Sequence, residues 1–451
     1  MRVFPSAVRW PLAAMLAVLG VGLAAWNMRA GVVRTGAVGG VTIDTDGVLK
    51  MATVDQTEKV VQVRQQALQR LPSSLNQASP LRKISLRRLQ EAIAARRAKV
   101  QMPLVTEEMA YLAGLTRIQY VFVYPEENDI VLAGPAEPIT VNQQGFVVGK
   151  ETGAPILQLD HLLVALRAAA RSARRGELIS CSIEPTQEGL QRLQRLLASR
   201  PRFSPAVVRR IESELGLQQI IIRGVSPTTD YARRMVAADY AMKRLAMGLD
   251  RSPVKGLPSY LQLLRRARNV RGESATPRWW MAPHYEALKQ SPDGLAWKLE
   301  GPGVKVLTED TALGRKQGTG RTSPVAQRWA ELMTAHFDQL SRRRPIFGQL
   351  RNLMDITVVG ALIVRHGLDQ KAGLDISMLL DEKQLGLDEF DVPRRVATQA
   401  AVIKKGRSWI VSASGGVELN VWPLVEKGQV DAKMTLLRAR AEHQGEHWWW
   451  D

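Results

Sequence analysis

Residues able to do chemistry concentrate between Trp279 and Asp310. His284 and Glu286 follow the Trp279-Trp280 pair, and Asp293, Glu300, Glu309 and Asp310 come after them. Indole rings stack on sugar faces, and two carboxyl groups flanking a glycosidic bond serve as acid and as base or nucleophile. The stretch therefore has the composition of a glycan-cleaving cleft, with His284, Glu286 and Asp293 as candidate catalytic groups. Two observations weigh on the other side. Pro292-Asp293-Gly294 is ordinary turn chemistry, and tryptophan is an ordinary core residue. The plainer reading is a turn beside a buried aromatic pair.

The six histidines are dispersed, and only His443 and His447 share a four-residue spacing, with Glu442, Glu446 and Asp451 nearby. On a helix both imidazoles would face one metal ion. Gly445 between them, in a terminal tail, favours an irregular end instead, so no metal or other cofactor is expected. Ser252-Pro253-Val254-Lys255 has the S-x-x-K spacing of serine acyl-enzymes, but Gly256 and Pro258 follow at once and would break the helix that chemistry needs. It reads as a linker. Gly314 to Thr322 imitates a phosphate loop, with glycines one residue too far apart and arginine in place of the lysine. Cys181 alternates with serines in Ile179-Ser180-Cys181-Ser182-Ile183, which points a lone thiol into a core.

The element best placed to organise such residues is Thr116 to Gly134. Ile118, Tyr120, Phe122 and Tyr124 recur at every second position with Val121 and Val123 between them, which suits a strand buried on both faces. Pro125-Glu126-Glu127-Asn128-Asp129 turns the chain into Ile130-Val131-Leu132, predicting a hairpin. Repeated strand-then-helix order over 36–248 predicts helices covering a mixed sheet. After a linker at 249–277, residues 278–430 read as helices plus small antiparallel hairpins. One hairpin is expected across Gly301-Pro302-Gly303, and a meander over Val396 to Val421. The fold class is α+β (mixed α/β) in two domains, 36–248 and 278–430, followed by a tail at 431–451. That tail ends in Trp448-Trp449-Trp450, expected either outside the fold at an interface or folded onto the meander near Trp409 or Trp422.

At 451 residues the chain is too long for one core of ordinary size, and 45% hydrophobic with 23% charged residues excludes a disordered protein. Arg2 and Arg9 precede an apolar run from Pro11 to Ala25, with Gly22-Leu23-Ala24 offering small residues for cleavage. The order is that of a secretory signal peptide, residues 1–24, since about 15 apolar residues fall short of the roughly 20 a spanning helix needs. An uncleaved anchor is the alternative. The formal charge of +19 favours anionic surfaces, although the basic residues come as scattered pairs such as Arg174-Arg175 and Arg233-Arg234.

Several stretches carry a family likeness: Leu81-Arg82-Lys83-Ile84-Ser85-Leu86, the Ile118 to Pro135 hairpin, Ser252 to Pro258, Trp279-Trp280-Met281-Ala282-Pro283, Arg351-Asn352-Leu353-Met354-Asp355 and Ser414-Gly415-Gly416-Val417. Together they resemble the exported proteins of planctomycete-type bacteria grouped as domain of unknown function 1598. The resemblance implies export and a shared fold, and brings no activity, cofactor or catalytic residue. The expectation is an exported protein, periplasmic or extracellular and associated with the cell envelope, acting as a non-catalytic scaffold or binder with a basic surface. Its expected partners are envelope proteins or anionic envelope polymers, with peripheral membrane contact as an option and no sequence-specific nucleic acid. The competing expectation is a hydrolase of envelope glycans using carboxylates of the 279–310 region.

Overall fold

A computed structural model describes residues 37–38, 41–44, 46–175, 177–202, 204–268, 277–310, 323–401, 403–405, 408–410, 414–442 and 449–451. The expected signal segment, the glycine-rich stretch 314–322, Trp448 and the His443/His447 pair lie outside the described residues. In chain order the strands are β1 (Ala37–Val38), β2 (Val41–Ile43), β3 (Val48–Met51), β4 (Ser79–Ser85), β5 (Tyr120–Tyr124) and β6 (Asp129–Ala136). Next come β7 (Ile139–Val141), β8 (Val147–Gly149), β9 (Ile179–Glu184), β10 (Leu217–Arg223), β11 (Pro277–His284), β12 (Leu288–Gln290) and β13 (Ala296–Lys298). The last are β14 (Gly303–Asp310), β15 (Arg395–Ala397), β16 (Ile403–Lys405), β17 (Ser408–Ile410), β18 (Ser414–Leu419) and β19 (Gly428–Val430).

Two large sheets result, and the fold is α+β. One has the order β1-β2-β3-β15-β10-β9-β18-β11-β14 and is mostly antiparallel, with parallel pairings only at β3/β15 and β11/β18. The other has the order β19-β12-β13-β5-β6-β4. The hairpin read from Thr116 to Gly134 is β5 and β6, paired Val121 with Leu132 and Val123 with Ile130, and its apolar residues are buried as their density requires. Asn128 closes the turn at φ 51°, a conformation asparagine tolerates better than most residues.

Each sheet takes strands from both sides of 249–277, so the two segments expected as separate domains share both sheets and one continuous core. Two other expectations are corrected. Gly301-Pro302-Gly303 joins no hairpin: β13 pairs with β12 and β5 in one sheet, while β14 pairs with β11 in the other. No meander forms either, because β15 lies between β3 and β10, β18 lies between β9 and β11, and β16 with β17 make a ribbon of their own. Short strands of similar composition leave the choice of partner to tertiary packing.

The centre is the helix Pro345–His366, which starts on a proline and stops at Gly367 with φ 56°. It is long and apolar enough to cross a membrane, but its apolar window is wholly buried among neighbouring elements. It packs on Leu159–Arg175 and Asp230–Ala246. Gly360 sets the approach to the first, since a Cβ there would lie 3.1 Å from the Ala165 carbonyl.

The core is not purely apolar. Asp355 on the central helix is fully buried and accepts from Arg117 Nε and, at 2.9 Å, Arg117 Nη2, while Tyr285 donates its hydroxyl at 2.6 Å. Burial works to lower the Arg117 pKa, and Asp355 overcomes it. The same burial and the same carboxylate push the Tyr285 phenol up.

The tail departs from both expectations. Trp449–Asp451 run along β4: Ser85 N donates to the Trp449 carbonyl at 2.8 Å and Asp451 N to the Lys83 carbonyl at 3.2 Å. Lys83 Nζ meets the Asp451 carboxylate at 2.7 Å, and the Arg82 guanidinium lies 5.0 Å from the Trp450 ring centre. An edge strand presents unpaired N–H and C=O groups, and these residues satisfy them. Deleting residues 449–451 is expected to cost about 1–3 kcal/mol, from two hydrogen bonds and partial tryptophan burial. A urea midpoint equal to that of the full chain would show that the tail adds nothing.

Candidate binding cleft

Strand periodicity sorts the nine-stranded sheet into two faces. On β9, Ile179, Cys181 and Ile183 are buried, while Ser180, Ser182 and Glu184 are half-exposed on the opposite face. The Trp279-Trp280 pair is divided in the same way. Trp279 is fully buried, with its ring centre 4.9 Å from those of both Tyr260 and Trp329. Trp280 points to the outer face.

Register then aligns one row across five strands: Ile221, Ser182, Gly416, Trp280 and Leu307. On one side of it Arg278 stands across from Glu309, and Gln219 across from Glu184. On the other side Ser180 lies between Arg223 and Glu418. Small residues in the middle and larger ones around them leave a cleft of about 420 Å³, with Ser180, Ser182 and Gly416 as its floor and Trp280 and Ile221 at its flanks. That volume lies in the range of pockets that hold drug-sized ligands.

The floor is low because the second and third residues of β18 are glycines. At Gly415, φ +139°, an added Cβ would fall 1.5 Å from the Trp279 carbonyl oxygen, and at Gly416 it would fall 2.0 Å from that of Cys181. Gly416, directly across from Trp280, presents no side chain to the indole.

Beneath the floor, Lys243 on the helix Asp230–Ala246 donates to Asp239 Oδ2 at 2.8 Å, to the Ile183 carbonyl at 3.0 Å and to the Gly415 carbonyl at 3.2 Å. One ammonium thus ties β9 and β18 to the helix below. Burial pushes the Asp239 carboxyl up and the Lys243 amine down, and their pairing opposes both shifts. Burial also pushes the Cys181 thiol well up, which suits the core position read from its alternation and not a nucleophile.

The outer face carries its own charges. Arg278 meets Glu184 at 3.5 Å and its guanidinium carbon lies 6.0 Å from the Trp280 ring centre, while Glu418 and Arg223 are exposed. Hydroxyls, carboxylates, guanidiniums and an indole surround the cleft. Among its described lining residues there is no histidine, and the Cys181 side chain lies on the buried face. That chemistry serves hydrogen bonding and stacking.

The three acid–base candidates are elsewhere. His284 ends β11, where partial burial and then Lys305 lower its pKa. Glu286 is exposed, and its N–H donates to the Glu300 carbonyl at 2.9 Å, at the open end of the β12–β13 hairpin. Asp293 sits in the turn at the other end. Partial burial works to raise its pKa, but hydrogen bonds from the Ser291 hydroxyl and, at 3.0 Å, the Leu295 N–H hold it below the usual range. The structure does not bring the three together, and none lines the cleft.

Ser252 Oγ folds back on Val254 and Lys255 is exposed, as a linker predicts. No group of three or more histidine, cysteine or acidic residues able to hold a metal occurs among the described residues. Sequence reasoning missed Ser180, Ser182, Glu184 and Glu418. For the three on β9 the alternation around Cys181 was the signal, read for its buried side only.

Residues 181–260 match the model of a family described as Protein of unknown function (DUF1598). No curated protein and no solved structure matches the chain. The matched stretch contains Ser182, Glu184, Ile221 and Arg223 of the cleft and both members of the ion pair below it. Through these 80 residues, which build one flank of the cleft and its support, the chain resembles that family of unknown function.

Proposed function

We propose that the chain is an exported binding protein of the cell envelope, acting without catalysis, and that the cleft holds envelope glycan. The row of Ile221, Ser182, Gly416, Trp280 and Leu307 carries this reading. It offers an aromatic ring and apolar shoulders to a sugar face, with serine hydroxyls and charged groups to meet its hydroxyls. The whole chain has 62 basic against 43 acidic residues, a balance that favours association with anionic envelope polymers or with acidic faces of envelope proteins.

Co-sedimentation with insoluble envelope glycan, followed by titration with soluble fragments, tests the reading. Trp280→Ala is expected to weaken binding about tenfold, the equivalent of roughly 1.4 kcal/mol, with thermal unfolding unchanged. Failure of the unsubstituted chain to bind any envelope glycan would overturn the proposal.

One observation favours the hydrolase reading. Glu309, from the 279–310 region, lines the same cleft as Glu184 and Glu418. Release of reducing ends by the chain, abolished in Glu309→Gln, would establish that reading in place of binding.

A further inference from the structure

We propose that the ligand of this cleft is an amino-sugar chain carrying free amino groups, an inference that rests on the glycan-binding reading. Its basis is a local reversal of charge. The whole chain has 62 basic against 43 acidic residues, yet the cleft lining sets Glu184, Glu309 and Glu418 against Arg223 and Arg278. Arg278 and Glu184 engage each other at 3.5 Å, one charge of each sign, and Arg278 also stands across from Glu309 in register. A polyanion entering the cleft would meet three carboxylates against two guanidiniums, and like charges brought together at an interface disfavour the wrong partner. An ammonium there makes a charge-assisted hydrogen bond, which is stronger than the one a neutral amide makes.

Position sharpens the assignment. Glu418 is exposed at the cleft edge, directly across from Ser180, and forms no ion pair among the described residues. A pyranose lying against Trp280 turns its hydroxyls and amino substituents outward along the ring plane, toward the serines and acids of the neighbouring strands. The aromatic ring selects for sugar and the carboxylates for the free amine. The generally basic surface disfavours non-specific attachment of a polycation, so binding of such a chain would report the cleft.

The experiment is calorimetric titration of the full chain with three probes: a glucosamine hexamer, the fully N-acetylated hexamer and a polyuronate. The glucosamine oligomer is expected to bind about tenfold more tightly than the acetylated one. Glu418→Gln should remove most of that difference, and Trp280→Ala should weaken both. Equal affinities for the two hexamers, or an unchanged preference in Glu418→Gln, overturns the inference and leaves the glycan-binding reading standing. So does polyuronate binding that Trp280→Ala weakens. If neither hexamer nor the polyuronate binds in a Trp280-dependent way and envelope glycan is not retained, the glycan-binding reading itself fails. Thermal unfolding of both variants checks that each is folded, which their positions on the outer face predict.

Discussion

Asp355→Ala is expected to destabilise the protein by about 3–5 kcal/mol, read as a large fall in the urea midpoint, because it leaves buried positive charge without its counter-ion. The carboxylate accepts two hydrogen bonds from Arg117 and one from Tyr285, with no exposure to water. Arg351, one turn earlier on the same helix, is also buried and pairs with Asp338 at 2.9 Å. Without Asp355 the Arg117 and Arg351 guanidiniums would repel across a poorly solvated space. Asp355→Asn keeps the shape but loses the charge and should fall between the two. A midpoint for Asp355→Ala within experimental error of the unsubstituted chain would show that water or rearrangement solvates the site.

Gly415→Ala is expected to cost more than about 3 kcal/mol and to prevent the cleft from forming. The methyl group cannot occupy a point 1.5 Å from the Trp279 carbonyl oxygen, so β18 must move away from β11. Strain from overpacking normally runs at 1–3 kcal/mol, and here a backbone displacement is added to it. The Lys243 bond to the Gly415 carbonyl would be lost as well. Gly367→Ala is the comparison: that residue is left-handed at a helix end, and its nearest neighbour is the end of the Gln370 side chain at 3.3 Å. Its cost should be about 1–2 kcal/mol, the ordinary penalty of that backbone region. Equal losses in the two variants would mean that the crowding at β18 relaxes freely.

Legibility in the sequence followed how far each feature depends on distant chain. The hairpin of β5 and β6 has its whole reason within 19 residues, in dense β-branched and aromatic residues around a proline-led turn, and it was readable. So was Cys181 as a core residue. The cleft was only half-readable. Its residues appear in the sequence as Ser-Cys-Ser, Trp-Trp and Gly-Gly, each of which has an ordinary structural meaning by itself.

What the sequence alone determined is therefore local: which segments are extended or helical, where they stop, and which side of each strand is apolar. The tertiary structure decided partnership. It placed β18 between β9 and β11, put β13 and β14 in different sheets although only residues 299–302 separate them, and joined Arg117 to Asp355 across 238 positions. It also laid Trp449–Asp451 on β4. The physical reason is that side-chain period is set by the backbone of one strand, whereas the entropy of closing a long loop changes only slowly with its length. Many pairings are then nearly equal in chain entropy. The choice among them falls to packing, to backbone clearances such as Gly415 permits, and to the few buried charges that must find a partner.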